Sequence, residues 1–172
     1  MSEAKTPDIG GAPDGARTDP PKHAPLVPDE FVVPSPPRTA RFWLEPLGEQ
    51  HNEADYAAWT SSMEHILRTP GFAGSDWPHE MSLSDNAGDL RMHARHFEER
   101  YGFTYTVRST TDDDVIGCVY IYPSRDQAAD VDVRSWVRAS HADLDSELWS
   151  TVLAWLLAEW PFDEDRIAYA PR

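Results

Sequence analysis

The stretch from Phe103 to Trp160 constrains the fold more than any other part of the chain, because it contains three strand patterns followed by a long helix pattern. Its centre, residues 115–122, is apolar at almost every position and is stopped by Pro123. Such a run is typical of a central strand that is covered on both faces. The stretch therefore predicts a meander of strands packed under the helix as the core of the protein.

The segments before and after the apolar run show the residue spacing of strands and of a helix. In residues 103–107 three apolar side chains alternate with two threonines, which predicts a strand with one buried face. A third strand is expected from Val131 to Val137. The helix is expected from about Leu144 to Trp160, because a proline follows. Four apolar residues are predicted to form its inner face: Leu148, Val152, Trp155 and Leu156.

The upstream half supplies one strand and two helices. A strand covers 41–47, one amphipathic helix runs from Asn52 through Leu67, and a second runs from about Asn86 to Tyr101. A last strand covers 166–169. The order strand, helix, helix, three strands, helix, strand predicts an α/β fold with a mixed, mostly antiparallel sheet flanked by helices.

Residues 1–40 contain nine of the fifteen prolines and few apolar residues. Such a composition cannot bury enough surface to offset the entropy lost on ordering. We therefore predict a disordered Pro/Gly-rich leader at 1–40 and a folded domain at 41–172. The alternative is that residues 26–28 and 31–34 lie in extended form on a partner or on the domain itself.

The charge balance excludes some partners. The formal net charge is −15, with 30 acidic residues against 15 basic ones. This balance opposes binding to nucleic acid or to an anionic membrane, whose phosphates require Lys and Arg. Cys118 is the only cysteine, so no internal disulfide can form, and a reducing cytoplasm is the expected location.

The element order and several strand motifs resemble the GNAT superfamily of acyl-CoA N-acyltransferases. Residues 42–47, Phe-Trp-Leu-Glu-Pro-Leu, resemble the first strand of that family. Tyr105–Val107 and Val115–Val119 are similar to its second and third strands, and Ser135–Arg138 resembles the end of its fourth. The resemblance covers about residues 41–170.

The resemblance implies transfer of an acyl group, acetyl in the first place, from acyl-CoA to a small-molecule or peptide amine, without a metal. Backbone groups at the end of the fourth strand would hold the pantetheine and the acyl carbonyl, and an N–H there would stabilise the oxyanion. The residues it implies are Trp136, Val137 and Arg138 for the cofactor, Asp132 or Tyr120 as the proton acceptor, and Trp77 and His79 in the acceptor loop.

One segment departs from the family pattern. The loop between the fourth strand and the following helix, residues 138–146, lacks the glycines with which the family wraps the CoA pyrophosphate. Asp143, Asp145 and Glu147 crowd the start of that helix. The alternative function is therefore a non-catalytic GNAT-fold binding or interaction module that has lost acyl-CoA binding.

The remaining chemical groups have simple interpretations. Cys118 is expected in the core, and His93 and His96 are interpreted as surface histidines rather than metal ligands. Five residues are expected to line a cleft where the fourth and fifth strands separate: Tyr120, Tyr122, Asp132, Arg134 and Trp136. The last strand would be an open edge of the sheet, which a homodimer contact or the leader is expected to cover.

Overall fold

The computed structural model describes residues 23–172. Five strands form one sheet in the order β1-β2-β3-β4-β5: β1 Phe42–Pro46, β2 Phe103–Ser109, β3 Val115–Pro123, β4 Val131–Val137 and β5 Ile167–Tyr169. Neighbouring strands are antiparallel, except that β4 and β5 are parallel. The predicted α/β fold with a mixed, mostly antiparallel sheet is confirmed.

The α-helices of the described residues are α1 Asn52–Thr60, α2 Met63–Arg68, α3 Leu83–Glu98 and α4 Asp145–Glu159. Within residues 23–172, no helix has the length and apolar composition needed to cross a bilayer. Helix α4 covers one face of the sheet, and α1 and α3 cover the other. The four residues predicted for the inner face of the last helix are all buried.

The sheet is buried on both faces in β2 as well as in β3. Thr104 and Thr106, predicted on a solvent face, are 1% and 0% exposed. The prediction was wrong because α1 and α3 cover that face, and the strand alternation alone does not show which layers a sheet will have.

Two helix boundaries differ from the prediction. The first predicted helix is divided at Ser62, whose φ of −134° is not helical and whose hydroxyl accepts the N–H of Ala139 at 2.9 Å. Helix α3 begins at Leu83, because the hydroxyl of Ser82 caps it by accepting an N–H at 3.0 Å. Asn86 therefore lies inside the helix rather than at its start.

Part of the predicted leader packs against the domain. Val27 is 2% exposed, and the guanidinium of Arg100 donates to the carbonyl oxygen of Pro28 at 2.7 Å. Residues 23–40 thus follow the alternative of extended chain on the domain, which corrects the prediction of disorder for this part. The prediction for residues 1–22 lies outside the described residues.

We expect Trp155→Ala to lower the free energy of unfolding by about 3–5 kcal/mol, the usual range for truncating a buried large aromatic. Trp155 is 6% exposed, and its ring centroid lies 5.5 Å from that of Tyr105 and 5.4 Å from that of Trp160. Urea unfolding measures the change. Leu157→Ala, at a 39% exposed position of the same helix, is the control and should change stability by less than about 1 kcal/mol.

Candidate functional site

A cavity of about 680 Å³ opens on the face of the sheet that α1 and α3 cover. It lies between α3, the segment 72–77 and the ends of β3 and β4. Its wall combines aromatic rings, carboxylates, two guanidinium groups and one imidazole: Phe72, Trp77, Tyr101, Tyr120, Tyr122, Asp55, Asp89, Asp126, Asp132, Arg125, Arg134 and His93. This mixture is typical of a binding site for a small polar molecule with an apolar part.

The pairing of β3 with β4 builds the floor of the cavity. Tyr120 lies opposite Arg134, and Tyr122 lies opposite Asp132. Because alternate residues of a strand point to the same face, all four side chains share one face of the sheet. Four of the five residues expected to line a cleft border this cavity, which lies over the paired part of β3 and β4 rather than where β4 and β5 separate. Trp136, the fifth, lies buried beside it.

Asp55 of α1 contributes the most deeply buried carboxylate of the cavity wall, with 4% exposure. The Nδ2 of Asn86 donates to its Oδ2 at 3.1 Å, and the Nε1 of Trp59 holds Asn86 in place by donating to its Oδ1 at 3.0 Å. Burial raises the pKa of Asp55 to about 6 despite the hydrogen bond from Asn86. Its Oδ1 has no hydrogen-bond partner among residues 23–172 and is not fully enclosed.

The cavity wall carries more negative than positive charge. Asp132 and Arg134 form an ion pair at 3.2 Å, so they largely offset each other. Burial is the main cause of a raised pKa at Asp89, and the nearby carboxylate of Asp85 adds to it. Four carboxylates against two guanidinium groups favour a bound cation over a bound anion.

A hydrogen-bonded chain of His93, Tyr122 and His96 runs from the cavity wall into α3. The Oη of Tyr122 lies 2.6 Å from the Nδ1 of His93 and 3.0 Å from the Nδ1 of His96. Burial, with a smaller contribution from the neighbouring His96, lowers the pKa of His93 to about 4. His96 is 8% exposed. The interpretation of both residues as surface histidines was wrong, because they lie on the side of α3 that packs on the sheet.

The structure brings the two predicted proton acceptors, Asp132 and Tyr120, into the same cavity. The hydroxyl of Tyr120 accepts the Nε1–H of Trp136 at 3.1 Å. Burial raises the pKa of Tyr120 well above its ordinary value, with smaller contributions from Cys118 and Asp55. Tyr120 is therefore a protonated phenol at neutral pH, and Asp132 forms an ion pair with Arg134.

Of the two residues predicted in the acceptor loop, Trp77 lines the cavity and His79 does not. The Trp77 ring packs against Trp136 and Tyr120, with centroid distances of 6.0 and 6.3 Å. His79 is exposed, and its Nδ1 lies 2.8 Å from the carbonyl oxygen of Asp76.

The predicted cofactor residues Trp136, Val137 and Arg138 lie at the end of β4. The N–H of Arg138 donates to β3 at 2.8 Å, so it is not free to bind a ligand. In an antiparallel ladder the backbone groups alternate in direction, so the N–H of Val137 points away from β3, towards the β5 side. Strand β5 pairs only with residues 131–133, which leaves this part of the edge without a neighbouring strand. The carbonyl of Ser135 on the same edge accepts from the guanidinium of Arg172 at 2.8 Å.

The following segment, residues 138–146, does not fit a pyrophosphate group. The N–H of Ala139 donates to the hydroxyl of Ser62, and the N–H of His141 donates to the carbonyl of Arg138 at 2.8 Å. A phosphate at a helix start needs such N–H groups to be free. The three carboxylates at this helix start are all held by arginines: Asp143 and Glu147 by Arg41, and Asp145 by Arg172.

Two cavity residues, Asp55 and His93, were not among the predicted site residues, although helical spacing could have indicated both. Asp55 precedes Trp59 by four residues, and His93 follows Leu90 by three, so each lies on the apolar side of its helix. A titratable residue within an apolar stripe is the signal that would have found them.

Comparison with known proteins finds solved structures with the same fold but no match among family models or curated proteins. No family model matches the sequence, and no curated protein matches it. The ribosomal-protein-S5-alanine acetyltransferase from Vibrio fischeri matches with a TM-score of 0.55 and 10% identity over 72% of this chain and 68% of its own. RimL, a ribosomal L7/L12 alpha-N-protein acetyltransferase solved with coenzyme A, matches with a TM-score of 0.55 and 14% identity over 70% and 64%.

FdhC, a nucleotide-linked sugar GNAT, matches with a TM-score of 0.53 and 13% identity over 77% of this chain and 70% of its own. This chain spans about two thirds of the length of these structures. At such low identity the matches establish the architecture alone. Together with the observed strand order, they show that the chain has the fold of the GNAT superfamily of acyl-CoA N-acyltransferases.

Proposed function

We propose that this protein is an N-acyltransferase that transfers an acyl group from a thioester, acetyl-CoA in the first place, to a primary amine bound in the cavity. The observation that carries the proposal is Asp55, a buried carboxylate that lines the cavity, has a raised pKa, and has an Oδ1 without a hydrogen-bond partner among residues 23–172. Buried groups with strongly shifted pKa values are concentrated at functional sites. The GNAT fold supports acyl transfer as the chemistry of this site.

The cavity suits an amine that carries an apolar or aromatic group. An ammonium beside Asp55 replaces hydration with a charged hydrogen bond, worth about 1.5–3 kcal/mol. Trp77 and Tyr120 present ring faces and edges to the rest of the ligand, and an ammonium over such a ring gains a further cation–π contribution. A small-molecule amine and the N-terminus of a peptide both satisfy this chemistry.

The amine has to lose a proton before or during attack on the thioester. Of the two residues predicted as the proton acceptor, Asp132 suits this role better, since Tyr120 is a protonated phenol. Tyr120 suits the opposite role, in which its hydroxyl donates a hydrogen bond to the bound ligand. At the β4 edge the N–H of Val137 is the group oriented to hold the acyl oxygen.

A second function, a binding module without catalysis, is favoured by the state of residues 138–146. The carboxylates and the occupied N–H groups of this segment disfavour the nucleotide end of CoA, as described above. Acyl transfer would then depend on a donor that is held mainly by its thioester end. The two functions share the amine site and differ in whether a product forms.

The first test uses phenethylamine as the probe, because it combines an aromatic ring with a primary ammonium. We expect calorimetry at pH 7.5 to show binding of phenethylamine but not of phenethyl alcohol, its neutral analogue. With acetyl-CoA at millimolar concentration, mass spectrometry should detect the N-acetylated amine. Binding without product would favour the binding module, and absence of binding would contradict the amine site.

Asp55→Asn should separate binding from stability. The loss of the charged partner should weaken phenethylamine binding by roughly 10- to 100-fold, corresponding to about 1.5–3 kcal/mol. Asp112→Asn, at an exposed position away from the cavity, is the matched control and should bind the amine as the unaltered protein does.

Asp55→Asn should also make the protein more stable at alkaline pH. The pKa of Asp55 is raised from 3.8 to about 6, so the protonated form contributes stability that is lost as the pH rises from about 4 to about 6. That difference corresponds to about 3 kcal/mol. We expect urea unfolding to show Asp55→Asn more stable than the unaltered protein at pH 8, by up to this amount, and equal to it at pH 3.5. A variant that is destabilised at pH 8 would contradict the assigned environment.

We also expect acetyl-CoA to bind no tighter than roughly millimolar, about −4 kcal/mol. Replacing Asp143 and Asp145 by Gly removes two carboxylates and frees Arg172, while Arg41 keeps only Glu147 as its partner, so binding should strengthen. Asp163→Gly with Asp165→Gly changes the net charge equally at a distant loop and is the control. Micromolar binding by the unaltered protein would contradict this prediction.

A further inference from the structure

The hydroxyl of Tyr122 lies between two imidazole nitrogens, and this arrangement fixes how protons are distributed. Its Oη is 2.6 Å from the Nδ1 of His93 and 3.0 Å from the Nδ1 of His96. Burial raises the pKa of Tyr122 to about 12, so the phenol keeps its single proton at neutral pH. A hydroxyl with one proton can donate to only one nitrogen. Where the phenol donates to one of these nitrogens, the other imidazole donates its Nδ1–H to Oη, and the two histidines then hold opposite tautomers.

Each end of the His93–Tyr122–His96 chain is an imidazole with a second ring nitrogen, Nε2. His93 lines the cavity, and its Nε2 has no hydrogen-bond partner among the described residues and is not fully enclosed. The Nε2 of His96 also has no hydrogen-bond partner among residues 23–172, and the His96 ring packs against His23 and Tyr101. The hydrogen-bonded chain therefore links the cavity wall, through one hydroxyl, to an imidazole that is not part of that wall.

The surrounding structure holds the Tyr122 ring in place. A Cβ at Gly102 would come within 2.2 Å of the ring, so only glycine permits the ring to lie there without a shift. On the other side, the Oγ1 of Thr104 lies 3.1 Å from the Nδ1 of His93 and fixes that imidazole. Since these neighbours come from β2 and from the turn before it, the chain is part of the packed core rather than of a loose surface group.

We propose that His93 is a catalytic residue of the acyl transfer proposed above, on which this inference rests, and that Tyr122 and His96 are positioning residues that carry the proton of the amine away from the cavity. The amine gives a proton to Nε2 of His93, Nδ1 of His93 gives its proton to Oη of Tyr122, and Oη gives its proton to Nδ1 of His96. Nε2 of His96 then releases a proton to water. To reset the chain, water gives a proton to Nε2 of His96, the protons move back through Oη of Tyr122, and Nε2 of His93 releases a proton to water. This restores the starting tautomers.

This route gives the cavity a proton acceptor that is neutral at physiological pH, because burial keeps the pKa of His93 low. A neutral imidazole does not repel an incoming ammonium, whereas a protonated one would. The charged groups that share the cavity wall with His93 are Asp55, Asp89, Arg125, Asp126, Asp132 and Arg134. The charged or titratable groups near His96 are His23, Arg95 and Glu99.

Nitrogen NMR of the imidazole rings tests the His93–Tyr122–His96 hydrogen-bonded chain without requiring catalytic turnover. We expect opposite tautomers at His93 and His96 in the unaltered protein, and loss of this relation in Tyr122→Phe, which removes only the hydroxyl. Tyr105→Phe is the matched control, because Tyr105 packs under α4 outside the cavity and its hydroxyl has no hydrogen-bond partner among residues 23–172. Identical tautomers that do not respond to Tyr122→Phe would overturn the proposal.

Kinetics with phenethylamine and acetyl-CoA give the second readout. His93→Gln should lower kcat by about 100-fold, the lower range for loss of a general base, while amine affinity by calorimetry stays within about twofold. Tyr122→Phe should lower kcat less and change the pH profile, whereas Tyr105→Phe, which lies outside the cavity wall, should change neither. Asp132→Asn with the larger loss of kcat, and His93→Gln with none, would overturn the assignment of His93. If the unaltered protein forms no product, the proposed transfer fails, and the tautomer measurement still decides whether the chain exists.

Discussion

The register between β3 and β4 is the constraint on which both the core and the candidate site depend. It sets Tyr120 opposite Arg134 and Tyr122 opposite Asp132, so these polar side chains form the cavity floor on one face. The alternate residues of the same strands pack under α4 on the other face. Because a shift by one residue would exchange the two faces, the apolar core fixes the position of the polar site as well. Gly117 permits this pairing, since a Cβ there would lie 2.3 Å from the backbone oxygen of Trp136.

Much of the fold follows from local patterns. The apolar run of β3, the bounds of β4 and the inner face of α4 could be predicted because each depends on the period of a single segment. The division of the first helix at Ser62 could not, because the partner of that hydroxyl is Ala139, which is distant in sequence. The same limit applies to the cavity: Asp55, His93 and Tyr122 come from three elements, and only the tertiary fold brings them together.

The cavity carries groups whose burial lowers stability. Asp55 loses hydration, and His93 is kept neutral by its surroundings. Apolar residues of similar size would avoid both costs, so a reason other than stability has to explain these side chains. The hydrogen bonds that Asn86 and Tyr122 make to them fix their orientation, as an amine site requires if the ligand is to be held in one position.

The carboxylates of residues 143–147 form three ion pairs with arginines, and these pairs differ in burial and therefore in strength. Arg41 and its partners are largely exposed, so water and salt screen their attraction and a phosphate could replace it. The side chains of Arg172 and Asp145 are only 3% and 19% exposed. Separating a buried pair costs about 3–5 kcal/mol, because one charge is left without a partner. Arg172 also donates to the carbonyl of Ser135 on the open edge of β4, beside Val137. The buried pair, rather than the exposed acidic residues, is therefore the larger barrier to a donor that must reach this edge.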